Sequence, residues 1–97
     1  MDTRKMNMSE EKQVEVTLIW GGTGESKKAA VKTSDTAGTV FELVYDRFRQ
    51  KPTPEDTFEI DSQNFPRADF GKTVKQLLKE FSEKLTFEVT PPGSGAW

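Results

Sequence analysis

From Gln13 onward, Val14, Val16, Leu18 and Trp20 alternate with Glu15, Thr17 and Ile19. This period of two, carried by β-branched and large apolar residues, predicts a strand. Gly21-Gly22-Thr23-Gly24 then forces a turn. A second strand follows from about Ser26 to Lys32, with Ala29 and Val31 inward, so the pair reads as an antiparallel hairpin. The polar character of its second strand places that strand at a sheet margin. The period changes after Ser34-Asp35-Thr36, whose side chains suit a helix N-cap. Val40, Leu43, Val44 and Phe48 fall at helical spacing, Phe41 and Tyr45 widen the stripe, and Glu42, Asp46 and Arg49 take the solvent side. The prolines of Lys51-Pro52-Thr53-Pro54 cannot continue a helix and are expected to stop it. Phe58 and Ile60 alternate with Thr57, Glu59 and Asp61 to give a third strand, followed by an irregular stretch through Asn64, Pro66 and Gly71. From Thr73 to Phe81, Val74, Leu77, Leu78 and Phe81 share one helical face, with Lys75, Lys79 and Glu80 on the other. A last strand sets Leu85, Phe87 and Val89 against Thr86, Glu88 and Thr90. The order β-β-α-β-α-β predicts an α+β fold in which a mixed sheet wraps a helix.

The ends break this pattern. Residues 1–12 carry no apolar period and read as a disordered leader. Residues 13–90 read as one domain, and 91–97 as a flexible tail, Pro91-Pro92-Gly93-Ser94-Gly95-Ala96-Trp97. Its prolines favour an extended stem, and Gly93 and Gly95 leave the backbone bare enough to enter a narrow channel in another protein.

Composition narrows the function. With 97 residues, 33% hydrophobic and 31% charged, the chain can bury a modest core but not a deep enclosed active site, so a binding or carrier domain is expected rather than an enzyme. Cysteine and histidine are both absent, which removes thiolate chemistry, histidine-assisted nucleophiles and the usual zinc ligand sets. Neither a bound cofactor nor a metal is expected. No apolar run approaches the ~18 residues of a membrane span, so membrane association is not expected and the expected location is cytoplasmic. A net charge of −2 with interspersed signs gives no footprint for nucleic acid.

Other groupings read as ordinary structure. The glycines from Gly21 to Gly24 lack the strand-to-helix context of a phosphate loop and read as a hairpin turn. Glu42 and Asp46, four apart on the first helix, read as a solvated face, and Trp20 as core closure. Lys72, Lys75, Lys79 and Lys84 give the second helix a basic side, suited either to solvent or to accepting a modifier.

The order of elements resembles the β-grasp fold of ubiquitin, in which the first and last strands pair in parallel at the sheet centre. Thr33-Ser34-Asp35-Thr36 resembles the lead into ubiquitin's helix, and Gln50-Lys51-Pro52-Thr53-Pro54-Glu55-Asp56 the double-proline link after that helix. The resemblance covers about residues 13 to 95. It implies a sheet of four to five strands on one long helix, with a second short helix before the last strand. Within that superfamily the chain resembles small bacterial ubiquitin-like proteins encoded beside E1-like and E2-like enzymes and a deconjugating protease. Such a likeness implies a protein modifier. An E1-like enzyme would use ATP to adenylate its C-terminal glycine, and an E2-like enzyme would attach it to targets, through an isopeptide bond where the acceptor is a lysine.

An unhindered carboxylate on a backbone free of side chains can thread to the α-phosphate of ATP and later present an open carbonyl. The chain departs from mature ubiquitin in carrying Ala96 and Trp97 beyond its last glycine, so a precursor trimmed after Gly95 is expected. Counting from Val89 instead places the functional end near Gly93 or Ser94, and Trp97 packing back on the domain is the alternative to cleavage. The alternation also places Glu59 and Glu88 outward where ubiquitin has an apolar patch, a face that would favour a basic docking surface. Two other functions fit the same features: a non-covalent interaction module, and a sulfur carrier whose terminal glycine becomes a thiocarboxylate.

Overall fold

In the computed structural model, which describes residues 12–93, the first hairpin forms from β1 (Gln13–Trp20) and β2 (Glu25–Lys32). The strands pair antiparallel from Gln13 opposite Lys32 to Trp20 opposite Glu25, and Gly24 closes the turn at φ 79°. A helix, α1 (Ala37–Arg47), crosses to β3 (Thr57–Ile60) and the short β4 (Gln63–Asn64). A 3₁₀ turn at Arg67–Asp69 and a second helix, α2 (Val74–Glu80), then lead to β5 (Thr86–Thr90). The sheet order is β2-β1-β5-β3-β4, with β1 and β5 parallel at its centre, as the resemblance to ubiquitin implied.

α1 starts at the hydroxyl cap predicted for it, and α2 starts one residue later than expected, behind a hydroxyl cap at Thr73. Thr36 accepts from the Thr39 amide, and Thr73 forms a full capping box with Gln76. The two N-terminal loops are tied together: the Val74 amide donates to Asp35 O at 2.8 Å and the Ala37 amide to Lys72 O at 2.8 Å.

The inward face of α1 is rotated from the expected stripe. Ala37, Val40, Phe41, Val44, Tyr45 and Phe48 are buried, whereas Leu43 lies at the edge. Phe41 is central, with ring centroids 4.9 Å from Phe58, 5.1 Å from Phe70 and 5.3 Å from Phe87. Phe65 and Phe70 reach this cluster from the irregular stretch before α2. Trp20 closes the other end of the core, its ring 5.9 Å from Tyr45 and 6.5 Å from Phe48.

The prolines do not stop α1. The helix ends at Arg47, and Arg49 takes φ 56° while its amide donates to Asp46 O and the Gln50 amide to Tyr45 O. That pattern is a Schellman cap, with arginine where glycine is usual. Arg49→Gly is therefore expected to stabilise the fold by about 0.5–1 kcal/mol, because the left-handed backbone carries no Cβ penalty in glycine; a urea melt checks it. Asp61 likewise leaves the strand predicted for it. With Ser62 it forms the two-residue link from β3 to β4 at φ 52° and 68°, the backbone of a type I′ hairpin turn. Its carboxylate accepts from the Thr86 amide at 2.9 Å and Ser82 Oγ at 2.6 Å, fixing that turn to the start of β5.

One charged side chain is buried among the described residues. Asp56 accepts from the Tyr45 hydroxyl, from the Thr53 amide at 2.9 Å and from Thr53 Oγ1 at 2.7 Å. Burial alone would raise its pKa, but the donors from Tyr45 and Thr53, aided by Arg67, outweigh it and hold the carboxyl below its ordinary value. Burial, then the bond to Asp56, pushes the Tyr45 phenol above its usual range. Arg67 straps the same region from outside, its guanidinium 4.8 Å over the Phe58 ring and bonded to Thr53 O at 3.2 Å.

Candidate functional site at the tail exit and outer sheet face

β5 delivers the chain to the tail from between β1 and β3, so the exit is held on both sides. The Gly21 amide donates to Val89 O at 2.7 Å, and Thr57, which pairs with Thr90, donates its hydroxyl to Thr90 O at 3.4 Å. Glycine at position 21 lets the strands close, because a Cβ there would collide with Thr90 Oγ1 and stand 3.0 Å from Glu88 Oε2 and 3.1 Å from Thr90 Cα. The sequence shows the glycine pair, but which strand it lies against depends on the β1 to β5 register.

Pro91 is half-buried beside this clamp, and Pro92 and Gly93 are exposed. The chain does not run on as a straight stem. Pro92 and Gly93 form a turn, with Gly93 at φ 83°, a conformation glycine adopts without strain. Ser94, Gly95, Ala96 and Trp97, which carry the expected conjugation and processing positions, lie outside the described residues, as does the leader up to residue 11.

Glu59 and Glu88 do share the outer face, and they stand directly opposite each other in the antiparallel β3 to β5 ladder. Both are half-buried, and Ile19 of β1 lies beside Glu88 on its other flank. Burial first, and then the Glu59 carboxylate, push the Glu88 carboxyl above its ordinary pKa, against a bond with Thr90 that lowers it. The folded state therefore binds the proton more tightly than the unfolded chain. Glu88 favours folding most below the ordinary carboxylate pKa, and that contribution is lost as pH rises through its raised one. Glu88→Gln is expected to add up to about 1 kcal/mol at neutral pH, the scale of a like-charge cross-strand pair, and no gain at pH 3; paired urea melts at the two pH values check it.

The remaining groupings stay apart. Glu42 and Asp46 are exposed on α1, and among the described residues no group of His, Cys, Asp or Glu is placed to hold a metal. Lys72 bonds Glu80 at 3.0 Å, while Lys75, Lys79 and Lys84 are exposed. The glycine loop leads into β2 and not into a helix, so it is not a phosphate loop. Among the described residues no helix is long and apolar enough to cross a membrane.

No protein-family model and no curated protein matches the chain by sequence. Solved structures do match by shape. Caldiarchaeum subterraneum ubiquitin superposes with a TM-score of 0.64 at 14% identity, covering 88% of this chain and 100% of its own. A structure described as molecular mimicry of SUMO that promotes DNA repair gives 0.60 at 12%, covering 80% and 90%. The ubiquitin-like domain of tubulin-binding cofactor B gives 0.61 at 9%, covering 88% and 96%. With the parallel β1 to β5 centre, the helix across the sheet and these likenesses together, the chain has the ubiquitin-like β-grasp fold.

Proposed function

We propose that this domain is a ubiquitin-like protein modifier, conjugated through Gly95 once Ala96 and Trp97 have been removed. The observation that carries this reading is the path of the chain. β5 leaves the centre of a ubiquitin-like sheet and passes through a clamped Thr90 to a turn at the exposed Pro92 and Gly93, after which the sequence continues with Ser94 and Gly95. The clamp fixes where the tail starts, and the glycines beyond it give a partner enzyme an unobstructed backbone. The chain itself acts as substrate and not as enzyme, with no bound cofactor. An E1-like enzyme supplies ATP chemistry, an E2-like enzyme transfers the acyl group, a protease trims and removes the modifier, and all of this takes place in the cytoplasm. Gly95→Ala places a methyl group at the activated carbon's neighbour and is expected to cut conjugate formation at least about tenfold, with the fold unchanged; a conjugation assay read by gel shift checks it. Unchanged conjugation by Gly95→Ala would move the acyl donor to Gly93.

A second reading, a non-covalent interaction module, is favoured by the likeness to the ubiquitin-like domain of tubulin-binding cofactor B, a domain within a larger protein. Under that reading Gly95→Ala and the parent chain bind partners equally and neither forms a covalent adduct.

A further inference from the structure

Between α1 and the link that precedes α2 lies a groove of about 250 Å³, on the helix side of the sheet. Gly38, Glu42 and Tyr45, from one face of α1, form one wall, and Phe58, Arg67 and Phe70 the other. Its apolar content is aromatic. The half-buried Phe70 ring stacks on Phe41 at 5.1 Å and stands edge to face with Phe58 at 4.9 Å. Two opposite charges line the groove and do not pair. Arg67 is fixed by the Phe58 ring, 4.8 Å beneath its guanidinium, and by bonds from Nη2 to Thr53 O at 3.2 Å and Pro54 O at 3.3 Å. Those bonds use one nitrogen and leave Nε and Nη1 to donate elsewhere. Among the described residues the exposed Glu42 carboxylate has no ion pair or hydrogen bond, to Arg67 or to any other group. Gly38 stands where α1 meets Phe70. Glycine weakens a helix, and packing does not demand it here, since a Cβ would be 3.4 Å from the Phe70 side chain, at the edge of ordinary contact. The missing Cβ leaves the Phe70 ring uncovered.

We propose that this groove docks a partner segment in which one aromatic side chain is flanked by an acid and a base. At this volume the groove falls below the roughly 300–1,000 Å³ of sites for drug-sized molecules, so it takes one large side chain and not a folded element. That side chain stacks on Phe70, its acidic neighbour meets Arg67 and its basic neighbour meets Glu42. Charge complementarity selects this occupant, because a purely acidic segment is repelled by Glu42 and a purely basic one by Arg67. Arg67 is already ordered by its carbonyl bonds, so binding costs little of its side-chain freedom. The groove opens on the side of the sheet covered by α1, so a docked partner leaves the outer face with Glu59 and Glu88 free. This inference does not rest on the modifier reading.

The probe is the capped tripeptide acetyl-Lys-Trp-Glu-amide, titrated into the isotope-labelled full chain and followed by NMR. The amides of Gly38, Glu42 and Phe70 and the Arg67 Nε–H are expected to shift together and saturably at millimolar peptide. Replacing the peptide's tryptophan by alanine should abolish the shifts, and replacing its glutamate by glutamine should weaken binding about threefold, the scale of an exposed charge pair. On the protein, Gly38→Leu covers Phe70 and should abolish binding, while Glu42→Lys should weaken it about threefold. Unshifted Leu18 and Phe87 amides check the fold of both variants. Equal shifts with the alanine peptide, shifts centred on Ile19 and Glu88, or no saturable shift at all would each overturn the proposal.

Discussion

Phe41→Ala is expected to destabilise the domain by about 4 kcal/mol, the range for deleting a buried phenyl ring without full collapse of its site. The ring is 1% exposed and packs against Phe58, Phe70 and Phe87 within 5.3 Å. Those neighbours come from β3, from the link before α2 and from β5, so no single element can move inward to fill the void. A small domain holds about 5–15 kcal/mol in total, and a loss of this size brings it near its unfolding limit at ordinary temperature. Phe41→Leu should lose clearly less, since most of the volume is kept. Equilibrium urea unfolding of both variants tests this, and a cost below about 1 kcal/mol for Phe41→Ala would mean that the aromatic cluster is not the centre of the core.

Asp56→Ala is the second large effect, at about 3 kcal/mol near neutral pH. It strands the buried Tyr45 hydroxyl and removes the acceptor for both donors of Thr53, and hydrogen bonds to an ionised group contribute about 1.5–3 kcal/mol each. Because the Asp56 carboxyl is held below its ordinary value, its contribution is fully present above the pKa of an unfolded aspartate and is lost as pH falls through the depressed folded value. The stability gap between parent and variant should therefore be constant around neutrality and shrink in acid. Tyr45→Phe leaves the Thr53 donors in place and should cost only about 1 kcal/mol. A gap that stays level into strong acid would show that the carboxylate is not what stabilises this loop.

Much of this fold is legible in the chain because strands with one buried face must alternate. The inward residues of β1, β3 and β5 follow from that period alone, and Glu59 and Glu88 are outward for the same reason. Their standing opposite each other, with Ile19 alongside, is a matter of register between strands far apart in sequence, which no local pattern encodes. Among the described residues the backbone turns left-handed without glycine at two places, Arg49 and Asp61-Ser62, and neither carries the glycine that would announce it. A local cap holds the first, through the Gln50 amide on Tyr45 O, and a long-range bond from the Thr86 amide to the Asp61 carboxylate holds the second. Phe65 and Phe70 sit in a stretch without period, so their part in the core follows from the path of the link and not from spacing. The tail is legible as composition, while the clamp at its root, Gly21 against Thr90, needs the parallel pairing of β1 with β5.

The modifier reading is tested most directly by intact mass measurement of the full chain after incubation with its candidate E1-like enzyme, processing protease and ATP. The reading gives a chain shortened by Ala96 and Trp97, and an ATP-dependent covalent adduct of that shortened chain with the enzyme. A chain that keeps its full mass and forms no adduct, while still binding the enzyme, would contradict it and leave a β-grasp module that works by docking alone.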